Sequence, residues 1–475
     1  MGYVISLLLC GHYVHKIRWK TLLFFNFSIW WLGVLGSGNA KEYNSFYVLL
    51  FSRMATGCSE AACHVVATPL IQDRGGKHTG VWLSIYLTGM PIGHNVGYIY
   101  GSYLASSDQW GWDWAYYFVC LVSLPPLIVL LFVKDDTNGG LLGGVENSIV
   151  VINDGDRFQT AREPLLNALH CEDSNATVQH SNQQKITLSS AIKACLSSPV
   201  LVTVSLGWAA IIGTCASFYT FSVSSVIALE LFDNERQAAS WFGTLAMVAG
   251  VVGTQIGGKL ADKVLATGSK CGDAFLHPII ANMLSRINIL VAMSITFILS
   301  TVLVHNAAIF LVLLFTGWVL LCKCFVFILD CLSPIFNPDL FHDIAYLVMT
   351  QTGVNLIAIL AVDHCYRPNA SAFFYLTSHL LGDVPIPVLM GLIKGRLAPA
   401  CQVGPGGEFV DPERCMEQEK EVRKCLAIIF AWSLWCLIFF EIARQFARRQ
   451  AETLGKQQAM KSSRCYYWRA QKEVC

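Results

Sequence analysis

Residues 79–104 read Thr79-Gly-Val-Trp-Leu-Ser-Ile-Tyr-Leu-Thr-Gly-Met-Pro-Ile-Gly-His-Asn-Val-Gly-Tyr-Ile-Tyr-Gly-Ser-Tyr-Leu104 and contain no aspartate, glutamate, lysine or arginine. About 20 mainly apolar residues are enough for an α-helix to cross the hydrocarbon core of a bilayer. Comparable runs recur along the chain, at 21–39, 45–70, 113–133, 198–226, 238–264, 287–305, 308–333, 343–362, 371–393 and 425–444. The sequence therefore predicts an all-α membrane protein with many spans.

The composition supports this class and argues against several others. Hydrophobic residues make up 54% of the 475 residues and charged residues only 14%, whereas a soluble domain carries about a quarter charged residues. The net charge of +1 gives no basic surface for nucleic acid. Neither a Gly-x-Ser-x-Gly elbow nor a phosphate-binding Gly-rich loop occurs in the sequence, so we predict no enzyme activity, no ATP-binding domain and no cofactor.

The cysteines do not suggest a metal centre. Cys322 and Cys324 have no histidines clustered near them, so no metal site is predicted. Cys401 and Cys415 flank a polar loop and form a disulfide only if that loop lies outside the cytosol.

Polar composition divides the chain into two membrane regions. Residues 134–197 are rich in Asn, Asp, Gly, Ser and Gln, which predicts a flexible linker between a bundle at 1–133 and a second one at 198–446. The segment 447–475 is basic, and basic residues also cluster at 12–20. Because basic loops stay on the cytosolic side, we expect the linker and the tail to be cytosolic.

The number of spans conflicts with that topology. Seven candidate runs follow the linker, and an odd number would leave the basic tail outside the cell. Removing residues 319–351 joins 308–318 to 352–362 as one ordinary span. We therefore expect 319–351 to be an insertion, such as an intron retained in the gene model.

Two charged residues interrupt the span at 45–70. In Arg53-Met-Ala-Thr-Gly57-Cys-Ser-Glu60 the charges are seven residues apart, which puts both on one face of a helix. Charged groups at membrane depth are rare and usually mark a substrate or proton path. Glu60 is the candidate proton carrier, with Arg53 as its charge partner or a headgroup contact; the alternative is a static ion pair that fixes helix packing.

Glycines form a stripe in the span at 79–104. Gly89, Gly93, Gly97 and Gly101 recur every four residues, and small residues at this spacing let another helix approach closely. The stripe is predicted to be a helix-packing surface.

The motif Gly258-Lys-Leu-Ala-Asp262-Lys263 resembles the short loop that follows the second helix of each half in the major facilitator superfamily. The resemblance implies that Asp262 and Lys263 gate the protein, with the Asp latching the outward-facing state. In the first half, the corresponding stretch Gly11–Lys20 has His15 where that family has Asp.

Further motifs resemble the spinster-like branch of that superfamily. They are Arg367-Pro-Asn-Ala-Ser-Ala372 and His379-Leu-Leu-Gly-Asp383, together with Arg53, Gly57 and Glu60. The resemblance implies two pseudo-symmetric bundles of six helices. It gives Arg367, His379 and Asp383 gating or structural roles, and the one-turn spacing of His379 and Asp383 allows a hydrogen bond between them.

The implied function is secondary active, proton-coupled transport by alternating access. The implied substrate is an amphipathic lipid, such as a lysophospholipid or a sphingoid phosphate, carried across an endolysosomal or plasma membrane. A carrier of sugars or organic anions and a transport-inactive membrane scaffold remain alternatives. Surrounding membrane lipids and the substrate are the expected partners.

The start of the chain is short for this architecture. The apolar stub 1–10 directly precedes the Gly11–Lys20 motif, so the resemblance makes it the end of a second helix. We expect the first helix of the family's twelve, and most of the second, to be absent from this sequence.

Overall fold

The computed structural model describes residues 2–13, 17–105, 107, 110–133, 188–232, 235–268, 276–322, 351–402 and 411–472, and these ranges are overwhelmingly helical. His15, most of the linker and most of the segment 319–351 lie outside the described residues. The insertion therefore stays a prediction.

Within the described residues, the first bundle contains five helices. They are α1 (Gly2–Tyr13), α2 (Trp19–Asn39), α3 (Phe46–Gly75), α4 (Thr79–Ala105) and α5 (Trp112–Phe132). Helix α3 ends where Gly76 adopts a positive φ of 54°, a conformation that glycine reaches without steric penalty. A single 3₁₀ turn, Gly76–His78, then leads into α4.

The second part of the chain begins with a short helix that the sequence assigned to the linker, α6 (Leu188–Ser197). The bundle proper consists of α7 (Pro199–Ala228), α8 (Glu235–Gly268), α9 (Leu276–Ser300), α10 (Ala307–Cys322), α11 (Gln351–Leu360), α12 (Arg367–Ser378), a π-helical turn (His379–Asp383), α13 (Pro385–Leu397), α14 (Pro412–Glu417), α15 (Glu419–Trp432) and α16 (Leu434–Lys472). Helix α16 thus continues through most of the predicted basic tail.

Every predicted span coincides at least in part with a described helix. Within the described residues, six stretches are long and apolar enough to cross a membrane: Trp19–Asn39, Trp112–Phe132, Pro199–Ala228, Met283–Leu303, Arg367–Leu397 and Glu419–Thr453. Two shorter apolar helical stretches, Gln237–Val252 and Ala307–Gly317, accompany them. The all-α, multi-span class predicted from composition is confirmed.

Long polar side chains tie helix ends to neighbouring elements. The Nζ atom of Lys20 donates to the carbonyl oxygens of Leu131 and Val133, at 2.9 and 2.5 Å. The Arg423 guanidinium donates to the carbonyl oxygens of Val302 and Val304, at 2.7 and 2.8 Å. Carbonyls at the end of a helix have no intrahelical partner, so these cations stabilise the ends and fix how the helices sit together.

The pairing of Cys401 with Cys415 that the sequence allows is present in the structure. The two residues form a disulfide with Cα atoms 4.8 Å apart, and both are buried. Since disulfides persist in oxidising compartments, this pairing agrees with a loop on the side opposite the cytosol.

Candidate functional site

The two bundles meet along two seams. Helix α4 of the first bundle packs along α8 of the second, and α1 and α3 pack against α12. The Asn369 amide donates to the Gly11 carbonyl oxygen at 3.0 Å, and the Ser371 hydroxyl donates to the His64 carbonyl oxygen at 3.1 Å. The contacts between the bundles are therefore made by residues far apart in sequence.

Asp262 lies near the C-terminal end of α8, and its side chain caps the N-terminus of α4 in the other bundle. Its carboxylate accepts hydrogen bonds from the backbone N–H groups of Gly80, at 2.5 Å, and Val81, at 3.0 Å. Those groups belong to the first turn of α4, where free N–H donors and the helix dipole favour a negative charge. The predicted gating residue thus holds the two bundles together at this end of α4.

Two glycines of α8 allow the seam to close. A Cβ atom added at Gly258 would lie 2.4 Å from the Gly80 carbonyl oxygen, and one added at Gly250 would lie 2.4 Å from Pro91 Cβ. Between these points the hydroxyls of Thr88 and Thr254 are 2.7 Å apart. The close approach of the bundles therefore depends on the missing side chains at Gly250 and Gly258.

The structure differs from the prediction for the glycine stripe of α4. A Cβ atom at Gly89, Gly93 or Gly101 would meet no atom within 4 Å, and one at Gly97 would only reach Tyr100 at 4.0 Å. The spacing does place the four glycines on one face, but that face borders open space, and α8 packs against another face of α4. The four-residue spacing predicts that the glycines share one face of α4, but it does not predict whether another helix packs against that face.

A cavity of about 430 Å³ opens beside this stripe. Aromatic and small side chains dominate its lining, and two charged residues, Arg53 and Glu60, are the exception. The full lining is Trp30, Val34, Arg53, Thr56, Glu60, Gly97, Tyr100, Gly101, Trp112, Ala115, Tyr116 and Val119. The prediction that the two charges share one face of their helix agrees with this geometry.

Within the described residues, Arg53 and Glu60 are not joined by an ion pair. The Arg53 guanidinium lies over the Tyr116 ring, 5.6 Å from its centroid, an arrangement in which the cation is attracted to the face of the ring. Both charged residues are exposed to the cavity. Neither charge is therefore neutralised by the other, and both can interact with a solute in the cavity.

A buried polar cluster continues from the cavity towards the second bundle. The Tyr86 hydroxyl is 3.1 Å from His64 Nδ1, and the His64 ring stacks on Tyr375 with centroids 4.2 Å apart. The Tyr375 hydroxyl donates to Asn355 Oδ1 at 2.9 Å. Helices α3, α4, α11 and α12 each contribute one of these residues, so the cluster spans both bundles.

The π-helical turn carries the predicted pair His379 and Asp383. His379 Nδ1 lies 2.5 Å from Asp383 Oδ2, as the one-turn spacing predicts. The Tyr3 ring packs against His379 with centroids 4.2 Å apart. Both the Tyr3 hydroxyl and Asp383 Oδ1 are buried without a hydrogen-bond partner among the described residues.

Of the predicted proton-coupling, substrate and gating residues whose side chains are described, only Arg53 and Glu60 line the cavity, and five residues of the buried cluster were not predicted. Arg367 begins α12 and does not line the cavity, and the side chain of Lys263 lies outside the described residues. The sequence did not predict Tyr3, His64, Tyr86, Asn355 or Tyr375 as part of the site. His64 follows Glu60 by one helical turn within an apolar span, and this signal for an intramembrane polar site was available in the sequence.

Removing the charge of Asp262 is expected to weaken closure at this end of the seam. Each charge-assisted hydrogen bond contributes about 1.5–3 kcal/mol, and asparagine retains an acceptor for only one of the two N–H groups. A loss of about 2 kcal/mol from the closed state shifts the open–closed equilibrium about 30-fold. Spin-label distances between α4 and α8 in Asp262→Asn should show the open population. Unchanged distances would contradict the latch.

Two helical bundles that meet at seams, the first of which holds a charged cavity among its helices α2–α5, define a membrane carrier architecture. The sequence profile described as Major Facilitator Superfamily matches residues 1–361, so the chain belongs to that superfamily. It is an integral, multi-pass membrane protein.

The spinster-like resemblance is confirmed by named relatives in Arabidopsis thaliana. "Probable sphingolipid transporter spinster homolog 1" is 22% identical over 78% of this chain and 65% of its own length. Spinster homolog 3, with the same description, is 21% identical over 80% and 64%. The chain thus spans less than two thirds of the length of these relatives.

A solved structure shares the fold. It is described as a bacterial homolog of the human lysosomal transporter Spinster, in an inward-facing and unoccupied conformation. The TM-score is 0.53, with 14% identity, 94% of this chain and 87% of that chain covered. The predicted superfamily fold is therefore confirmed.

Proposed function

We propose that the protein is a secondary active, proton-coupled transporter that moves an amphipathic lipid by alternating access. The observation that carries the proposal is the placement of the cavity and the Asp262 contact on α4. Gly80 and Gly97 are separated by 17 residues, or about 25 Å of helix. The charged cavity, lined by α2–α5 of the first bundle, thus lies towards one end of α4, while Asp262 holds the two bundles together at the other end. A contact between the bundles that can open and close at one end supports alternating access.

Glu60 is the proposed proton carrier. It lies in the middle of α3, is exposed to the cavity and lines it beside Arg53. A carboxylate at membrane depth with access to solute and without an ion-pair partner among the described residues can take up a proton when its side of the membrane is open. It can then release the proton after the bundles rock.

The lining supports an amphipathic substrate. Trp30, Trp112 and Tyr116 provide apolar area, while Arg53 offers a cation suited to a phosphate or carboxylate headgroup. A lysophospholipid or a sphingoid phosphate combines an anionic head with an acyl chain. The Arabidopsis relatives, described as probable sphingolipid transporters, support the same substrate class.

The test is uptake of labelled lysophospholipid or sphingoid phosphate by proteoliposomes, with and without a pH gradient. With one proton per substrate, a gradient of one pH unit supports about tenfold accumulation. We expect the wild type to accumulate the lipid, and Glu60→Gln to equilibrate it without accumulation. Glu42→Gln, which changes an exposed glutamate in the α2–α3 loop, serves as the matched control.

Each outcome has a distinct meaning. Gradient-driven accumulation by Glu60→Gln would overturn the proton role of Glu60. Uptake of a sugar or an organic anion in place of the lipid would overturn the substrate class. Absence of uptake with any of these solutes would favour a transport-inactive scaffold.

A further inference from the structure

Helix α6 lies at the border between the linker and the membrane. Its last residue, Ser197, is followed by Ser198, which caps α7 by accepting a hydrogen bond from the Leu201 N–H at 3.3 Å. The Ser198 hydroxyl also donates to the Ala361 carbonyl oxygen, at 2.8 Å. Since α7 is long and apolar enough to cross a membrane, this double attachment places α6 where that helix would enter the bilayer.

One face of α6 is already occupied by the protein. Ala191 and Cys195 are each only 2% exposed, and α6 packs against α7, α12 and the short turn His364–Tyr366. These contacts determine the rotation of the helix about its axis. The neighbouring face therefore has a fixed orientation.

That neighbouring face is an exposed apolar ridge. Leu188, Ile192 and Leu196, spaced by four residues, are 41%, 42% and 59% exposed. They form one side of an open depression of about 710 Å³. In water such a ridge would be costly, whereas at a bilayer surface it is the face that an interfacial helix buries.

A basic residue borders the ridge on its polar side. Lys193 is exposed and lines the same depression, about 100° around the helix from Ile192. Ser197 lies further round, at the edge of the same depression and about 140° around the helix from Ile192, and is also exposed. At a lipid leaflet, the cation can contact the phosphate groups while the apolar ridge next to it contacts the acyl chains below them.

We propose that α6 is an interfacial helix that binds the lipid surface on the linker side of the membrane. Leu188, Ile192 and Leu196 enter the boundary between headgroups and acyl chains, and Lys193 contacts lipid phosphates. Because α6 also packs on α12, whose contacts with α1 and α3 form one seam between the bundles, lipid binding fixes this end of the second bundle against the leaflet.

The test places an environment-sensitive fluorescent amino acid at position 192 of the full chain, reconstituted in nanodiscs of phosphatidylcholine. Position 197 is the matched control on the same helix, and position 196 is a second ridge site in case labelling at 192 disturbs folding. Lipids brominated near the headgroup then serve as quenchers. We expect at least about twofold stronger quenching at 192 and 196 than at 197, since only the ridge enters the leaflet.

A second arm addresses the basic residue. Adding phosphatidylserine to the nanodiscs should recruit this anionic lipid to Lys193 and alter the emission at 192 in the otherwise wild-type chain. The same addition should have no effect on the labelled chain carrying Lys193→Gln. Equal, weak quenching at 192, 196 and 197 would overturn the proposal and would mean that the ridge faces water or a protein partner.

Discussion

Replacing Gly258 with alanine is expected to reduce transport about 100-fold while each bundle remains folded. The added Cβ atom would lie 2.4 Å from the Gly80 carbonyl oxygen and equally close to Ser84 Oγ. The carbonyl belongs to the backbone of α4 and cannot rotate away. Overpacking of this kind costs about 1–3 kcal/mol, and a penalty of about 3 kcal/mol on the closed seam changes its population about 100-fold.

The matched control for this change is Gly93→Ala, on the partner helix α4. A Cβ atom at Gly93 would meet no atom within 4 Å, so we expect nearly unchanged transport. Initial uptake rates in proteoliposomes measure the effect, and chemical accessibility along α8 reports whether the seam stays open. Equal rates for the two variants would show that closure of this seam does not limit transport.

Replacing Gly382 with alanine is expected to damage the second bundle itself. Gly382 sits in the π-helical turn, where an added Cβ atom would lie 2.5 Å from the Ala209 carbonyl oxygen and 3.3 Å from the Ala209 Cα atom. Both atoms are backbone of α7, so relief requires the turn to move away. We expect about 3 kcal/mol of destabilisation, together with loss of the His379–Asp383 geometry that the turn holds.

Thermal unfolding in detergent checks this result, with Gly391→Ala as the control. A Cβ atom at Gly391 would approach only the end of the Phe221 ring, at 3.2 Å, and a side chain can shift where a backbone cannot. We expect a clearly lower melting temperature for Gly382→Ala than for Gly391→Ala. Equal melting temperatures would mean that the contact with Ala209 is not a constraint on the bundle.

Part of the site could be predicted because the relevant signals are local. Arg53 and Glu60 share a helix face as a matter of spacing, and the distance of one turn between His379 and Asp383 permits their contact. Tyr3, Tyr86 and Tyr375 carried no such signal. Each is an ordinary aromatic residue in an apolar run, and it becomes part of a polar cluster only because helices from distant parts of the chain bring it there.

The sequence by itself determined the membrane class and the approximate positions of the long apolar helices, because hydropathy and helical period act within a few turns of one segment. Its motifs, such as Gly258–Lys263, indicated the superfamily by resemblance, whereas helix α6 was not predicted. Only the tertiary structure decided which face of each helix is covered. The stripe from Gly89 to Gly101 borders open space, while Gly250 and Gly258 carry the closest approach of the bundles. The physical reason is that close packing depends on the surface of the opposing helix, which lies more than 150 residues away along the chain.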